Sequence, residues 1–193
     1  MPDSGVLQNT NFFKKLQNNL LKIPVEETVR NTYRSLPYVF IDDAFPLRLD
    51  LMKPFRQAAL TSREKKNYNY PLSRARRIVE NVLGILAARF RIFHTCINLE
   101  PRNIEFVVMA CCMLHNLLIA KSLRTYTPPE CFDYDDTEEG VTNFGLNSQG
   151  SNMSSLQRRP LGNTANGAKG VREAFMSYFT NEGKVSWQDR FIQ

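Results

Sequence analysis

Apolar residues recur along this chain at two spacings, and each spacing predicts a different element. Over residues 9–22, NTNFFKKLQNNLLK sets Phe12, Phe13, Leu16, Leu20 and Leu21 at helical intervals, with Asn9 or Asn11 as the N-cap. Residues 23–37 contain Pro24, end at Pro37 and read as a connector. Tyr38-Val39-Phe40-Ile41 is apolar at every position, the pattern of a strand buried on both faces, and it stops at Asp42-Asp43. Residues 46–72 hold Pro46, Pro54 and Pro71 and read as basic loop with helical pieces inside Leu60–Tyr68. SRARRIVENVLGILAARFR, from Ser73 to about Arg91, predicts a long helix. A second long helix is expected from about Pro101 to Lys121, with proline suited to its first turn. Its middle, FVVMACCMLHNLL, is apolar nearly all round, which predicts burial.

After Arg124 the pattern changes. Residues 126–167 are acidic, then rich in Ser, Asn and Gly, with few large apolar side chains, and read as a disordered linker or insert. AKGVREAFMSYFT, residues 168–180, returns to helical spacing. Trp187 and Phe191 near the end either pack onto the domain or offer a stacking surface for bases. The expected organisation is therefore a main domain over 1–125, the linker, and a C-terminal helix and tail over 168–193.

Composition narrows the classes. The 193 residues suit one domain with an extension, and 42% hydrophobic residues are enough for a core. Apolar runs read as broken by charge within about 10 residues, so no membrane-spanning helix is expected, and the N-terminus lacks the order of a secretory signal. A soluble intracellular protein is the reading. Cys111 and Cys112 are adjacent, while Cys96 and Cys131 have no near partner, so neither a disulfide framework nor a zinc spacing is present. The cysteines read instead as small buried apolar residues in a reducing compartment.

The net charge of +6 is unevenly placed: residues 51–125 hold thirteen basic residues against four acidic ones. Clustered Lys and Arg suit a polyanion, because they release counterions from phosphate backbones. The same pattern also describes a solvated basic surface.

Candidate chemistry centres on Asp42, Asp43 and Glu80. At 100° per residue, Ser73, Arg76, Arg77, Gly84, Ala87 and Arg91 lie within about 60° of Glu80 on the helix. An acid among arginines commonly makes surface ion pairs. Gly84, which costs about 1 kcal/mol of helix stability against Ala, suggests instead that something approaches closely. Arg89 falls in the apolar arc, where the sequence gives it no role. Asp42 and Asp43 end a strand, where aspartate often caps a turn, but also where α/β folds place their sites. Paired with a helical glutamate, such an acid suits hard divalent cations, which prefer oxygen ligands. His115 reads as a hydrogen-bonded structural histidine, with a metal ligand or general base as the alternative; His94 reads as surface.

The strings YVFIDDAFPLRLDLMKPF, NYNYPLSRARRIVENVLGILAARFRIF and VVMACCMLHNLL, with the closing VREAFMSYFTNEGKVSWQ, occur in an order that resembles the DDE superfamily endonucleases of Harbinger-type transposons. The resemblance covers about residues 3–125 and 168–188. It implies an α/β fold, an incomplete RNase H-like fold lacking its first strands and dominated by long helices after the buried strand. It also implies DNA cleavage with two aspartates and one glutamate as metal ligands. Asp42 matches the second aspartate and Glu80 the glutamate; Asp43 is the second choice of ligand. The cofactor implied is a divalent cation, Mg²⁺ or Mn²⁺, with no nucleotide cofactor. Arg74, Arg76, Arg77 and Arg91 are the expected DNA-phosphate contacts. The implied partners are DNA and a separate DNA-binding protein, in the nucleus or in nucleus and cytoplasm. Ile41 stands where the family commonly has glycine, and Pro71 where a basic residue is common. Asp3 matches a downstream acid, and the strand pair with the first aspartate is expected before Met1. The chain alone is therefore expected to bind metal weakly and to cut DNA poorly or not at all. The alternative function is a non-catalytic, domesticated DNA-binding or protein-interaction module.

Overall fold

A computed structural model describes residues 7–147 and 166–192. The chain divides into two compact units: residues 1–76 with 155–193, and residues 77–154.

In the first unit, helix α1 spans Asn11–Gln17. Its cap is Thr10, not Asn9 or Asn11: the Thr10 hydroxyl accepts the Phe13 N–H at 3.1 Å. Left-handed Asn19 and Lys22 end the helix before the predicted boundary. The expected connector instead contains an antiparallel hairpin of β1 (Glu26–Thr28) and β2 (Ser35–Pro37), whose turn passes through left-handed Asn31.

The strand expected over 38–41 is shorter and buried on one face only. β3 (Phe40–Ile41) pairs in parallel with β4 (Leu51–Met52). Val39 and Ile41 pack on the core, whereas Tyr38 and Phe40 are 44% and 37% exposed. Among the described residues β4 is its one neighbour, so the side chains alternate in and out. The connection, residues 42–50, is shorter than the dozen or so residues a parallel crossover usually needs. It closes because Arg48 grips Asp50 through two N–H donors, Nε at 2.8 Å and Nη2 at 3.0 Å.

Helix α2 runs from Arg63 to Arg89, ten residues upstream of the predicted start, with Pro71 inside it. Proline lacks the N–H that would pair with the carbonyl four residues back, which is Asn67. The side-chain amide of Gln188 takes that place, donating to the Asn67 carbonyl at 3.3 Å. Asn67 and Gln188 are both buried. Nearby, Asn69 accepts from the Phe55 N–H and donates to the Phe55 carbonyl, each at 2.8 Å, pairing a loop backbone that has no strand beside it. Helix α4 (Asn166–Thr180), which follows α3 (Pro101–Tyr126) of the second unit in chain order, closes the core of Leu47, Met52, Tyr68, Leu72 and Ala168 with Val171, Phe175 and Phe179. The tail turns into α5 (Gln188–Phe191), where Phe191 stacks on Tyr70 at 5.0 Å, so the tail packs as expected.

In the second unit, α3 spans Pro101–Tyr126, with non-helical backbone at Ser122. Two expectations fail here. Its apolar middle is not enclosed: only Cys111, His115 and Tyr126 are buried. And α3, 26 residues long with a mean hydropathy of 1.8 over its most apolar stretch, is by length and composition apolar enough to cross a membrane; the run from 106 to 120 is uncharged, longer than the ten or so residues expected. The expected linker is folded as far as it is described. β5 (Tyr134–Asp136) and β6 (Val141–Asn143) form a hairpin. Asn81 accepts from the Asp133 N–H and donates to its carbonyl, anchoring the hairpin to α2. A Cβ on Gly145 would lie 2.6 Å from the Cys131 backbone, so only glycine fits there. Residues 148–165 of the expected linker lie outside the described residues. Cys96 is exposed, against the expectation of buried cysteines, and all four cysteines are free.

The architecture is thus mixed helix with small sheets, consistent with α/β. Among the described residues the strands form three separate two-stranded ladders. Gln188→Ala should lower stability by about 1–3 kcal/mol, the cost of an unpaired buried carbonyl. In a Pro71→Ala background, which returns an N–H to the helix, urea unfolding should show a clearly smaller loss. Equal losses in both backgrounds would contradict the pairing.

Candidate metal and DNA-contact residues

Asp42 leaves the end of β3 with its N–H donated to the Met52 carbonyl at 3.1 Å, which fixes the backbone. Its Oδ1 accepts the Ala44 N–H at 2.6 Å, a tight turn of the kind aspartate makes after a strand. No hydrogen bond or ion pair engages Oδ2 among the described residues. Asp43, one residue on, faces the Arg76 guanidinium at 3.4 Å. A cation at Asp43 would have to displace that guanidinium, so Asp42 is the better oxygen donor of the two. Asp42 belongs to the first unit, while Glu80 is exposed on the part of α2 in the second unit.

The arginines have divided roles. Arg77 pairs with Asp135, and the two side chains are only 17% and 3% exposed. Thr142 Oγ1 also donates to Asp135 at 2.9 Å. Arg77 is therefore a structural cation that fastens the hairpin to α2, not an open phosphate contact. Arg74 lies over the Tyr70 and Trp187 rings at 5.8 and 5.9 Å, on the exposed side of α2. Arg91 falls beyond the end of α2, in a short turn of 3₁₀ helix at Arg91–His94, and so leaves the Glu80 helix face. The close approach expected at Gly84 comes from the chain itself: a Cβ there would meet Asn147 at 3.4 Å. Arg89 gains a role too, donating from Nη2 to the Tyr126 carbonyl at 2.6 Å with its guanidinium 5.4 Å from that ring.

His115 is buried, its Nδ1 is 2.9 Å from the Tyr126 hydroxyl, and burial pushes its pKa below the usual histidine value. This is a neutral, structural histidine. An open cavity of about 370 Å³ in the first unit is lined by the β1–β2 hairpin, Tyr38, and Phe175 and Tyr178 of α4, and Asp42 is not part of its lining. Asp135 as the partner of Arg77 and Trp187 as the partner of Arg74 were missed in sequence. An acidic residue 58 positions from its basic partner carries no local signal.

No three His, Cys, Asp or Glu side chains converge to hold a metal ion among the described residues. Asp42 fits as a single oxygen ligand, and these residues by themselves do not complete a centre. The charge, however, is sorted by unit. The first unit holds nineteen basic against ten acidic residues, and the second six against nine.

A strand-end aspartate, a helical glutamate and a strongly basic unit are compatible with the expected class of endonuclease. The sequence comparisons agree on the class: the chain belongs to the DDE superfamily endonuclease family, whose profile matches residues 1–116. That superfamily generally uses divalent metals. A protein ALP1-like of Arabidopsis thaliana is 31% identical over 122 residues, which cover 61% of this chain and 29% of that relative. The match thus spans under a third of the relative's length. No solved structure is significantly similar.

The sign of the pH dependence at His115 follows from its lowered pKa. The unfolded chain takes up the proton first, near pH 6.5, so stability is full above that value and declines as pH falls through it. His115→Gln keeps a hydrogen-bonding side chain without titrating. Its urea midpoint should fall less than the parent's between pH 7.5 and 5.5; identical falls would refute the assignment.

Proposed function

We propose that this chain is a transposase-derived, divalent-metal-dependent DNA nuclease domain, acting by phosphodiester hydrolysis or strand transfer, with Asp42 and Glu80 as part of its ligand set. The observation that carries this reading is Asp42 itself. Its backbone is fixed by β4 and one carboxylate oxygen is held by the Ala44 N–H, which leaves Oδ2 as a preoriented ligand. Family membership supports the endonuclease class and a divalent cation as cofactor; an RNase H-like arrangement, DNA as substrate, Mg²⁺ or Mn²⁺ as the ion, a separate DNA-binding partner protein and a location in the nucleus, or in nucleus and cytoplasm, complete the proposal. A divalent cation bound there would stabilise charge on the attacked phosphate. Among the residues of this chain, Asp42 orients the ligand and Arg74 offers its guanidinium to the phosphate backbone. Arg76 neutralises Asp43 and so leaves Asp42 to the cation. With no group of three His, Cys, Asp or Glu side chains gathered for a metal among the described residues, weak cation binding is expected, and DNA cleavage by this chain alone should be slow or absent.

A cation concentration of about ten times Kd adds about 1.4 kcal/mol, which is roughly a 3 °C rise in Tm for a chain of this size. Millimolar Mn²⁺ should give such a rise, and Asp42→Asn and Glu80→Gln should each remove most of it. If both variants respond as the parent does, the metal assignment is wrong.

A second reading, a non-catalytic DNA-binding module, is favoured by the basic excess of the first unit. In that case DNA retention is salt-sensitive and survives both substitutions, and Arg74→Ala lowers the salt slope by about one phosphate contact. An unchanged slope would remove Arg74 from the DNA surface.

A further inference from the structure

The proposed function leaves unused the outer edge of the β1–β2 hairpin. The hairpin pairs Glu26 with Pro37, Glu27 with Leu36 and Thr28 with Ser35. The Val29 N–H reaches the Arg34 carbonyl at 3.0 Å, and bonded pairs alternate along an antiparallel ladder. Glu27 therefore bonds inward to β2, while the N–H and C=O groups of Glu26 and Thr28 point outward. Among the described residues no other strand flanks β1, and all three of its residues are exposed. The opposite edge is blunted, because Pro37 of β2 has no N–H to offer.

The β1 edge borders a cavity. Glu27, Val29, Leu36 and Tyr38 share one face of the hairpin, and with Phe175 and Tyr178 of α4 they line the open space of about 370 Å³. That volume is within the ~300–1,000 Å³ of ligand sites, and its walls are mostly apolar and aromatic. Arg34 holds the hairpin on α4, donating from Nη1 to the Ala174 carbonyl at 3.3 Å and pairing with Glu182 at 3.4 Å. The cavity is therefore formed by the chain's own contacts. On the opposite face Thr28 and Ser35 meet, with 3.3 Å between their hydroxyl oxygens, and the Glu26 side chain shares that face.

Charge selects among occupants. Glu26 and Glu27 stand side by side in a unit with nineteen basic and ten acidic residues. Two adjacent carboxylates repel a nucleic acid. A second copy adding its own β1 would set glutamate against glutamate, and like charges directly opposite destabilise a strand pair. An extended peptide with a basic residue satisfies both the outward backbone groups and the carboxylate. Directly opposed residues share a face, so the residue opposite Glu27 enters the cavity. Glu27 accepts the Tyr38 hydroxyl at the rim, which leaves Glu26 to meet the cation of the neighbouring residue.

We infer that β1 is a docking edge for an extended segment of a partner protein, one that carries a large aromatic residue next to a lysine or arginine. The segment adds as a third, antiparallel strand, buries its aromatic side chain in the cavity and sets its cation against Glu26. The inference is independent of the metal ligands, which lie on other residues.

Fluorescence anisotropy with the full chain tests it, using a capped, fluorescein-labelled peptide. The peptide has tryptophan at its centre, a lysine on each side, then valine and threonine outward. The parent should bind it saturably. Alanine in place of the tryptophan should abolish binding, and so should N-methylation of the backbone amides of both lysines, which donate to β1. N-methylation of the tryptophan amide, which points away from β1, should leave binding intact. Glu26→Lys should weaken binding about fivefold, with unchanged circular dichroism, because a favourable cross-strand charge pair becomes a repulsive one. No saturable binding by the parent overturns the inference, as does binding indifferent to lysine N-methylation or to Glu26→Lys. A parent with the mass of two chains that Thr28→Pro reduces to one would overturn it in favour of a second copy on this edge.

Discussion

The hydrogen bond from Gln188 to the Asn67 carbonyl is the constraint on which the first unit depends. Pro71 opens a gap in the backbone ladder of α2, and a helix of that length would ordinarily end or kink there. The tail supplies the missing donor from 121 positions away in sequence. Once Gln188 is seated, Phe191 stacks on Tyr70 and Trp187 comes within range of Arg74. Asp189 accepts hydrogen bonds from Lys184 and Arg63, with which it is ion-paired, and these hold its carboxyl below the usual aspartate value. The first half of α2 and the end of the chain therefore stabilise each other. Neither would be ordered at low cost alone, since a proline-interrupted helix and a four-residue helix are both poor local structures.

The same dependence explains what was legible in the sequence. Helical spacing after Ser73 and over 168–180 is a local signal, and both helices are there. The start of α2 at Arg63 was hidden because Pro71 is a local stop signal that only a distant side chain overrides. The strand at Phe40–Ile41 reads as buried on both faces because four apolar residues stand in a row; burial, however, depends on what lies beside the strand. Phe40 has the edge of Phe12 at 5.2 Å on one side and no second strand among the described residues. The acidic run at 133–139 reads as linker until Arg77 and Asn81 are seen to hold it. Composition reports what a segment contains, not which distant partners it meets.

For the candidate site, sequence identified the residue types and structure sorted them. Asp42 and Asp43 are indistinguishable as letters. The Arg76 guanidinium beside one and the Ala44 amide beside the other separate them. Four arginines were equally eligible for phosphate until Arg77 was found to be committed to Asp135 and Arg91 to lie off the helix. What remains is a small, specific claim: a family of metal-dependent endonucleases is represented here by one well-held aspartate, one exposed glutamate and a basic unit around the first.

That claim is tested most directly by following backbone amide signals in a ¹⁵N-labelled chain as Mn²⁺ is added, since the paramagnetic ion broadens resonances near it. The account predicts that Asp42, Ala44 and Glu80 broaden together at the lowest concentrations, before the acidic hairpin at residues 133–139. Broadening that begins at the hairpin and leaves Asp42 and Glu80 sharp would contradict it.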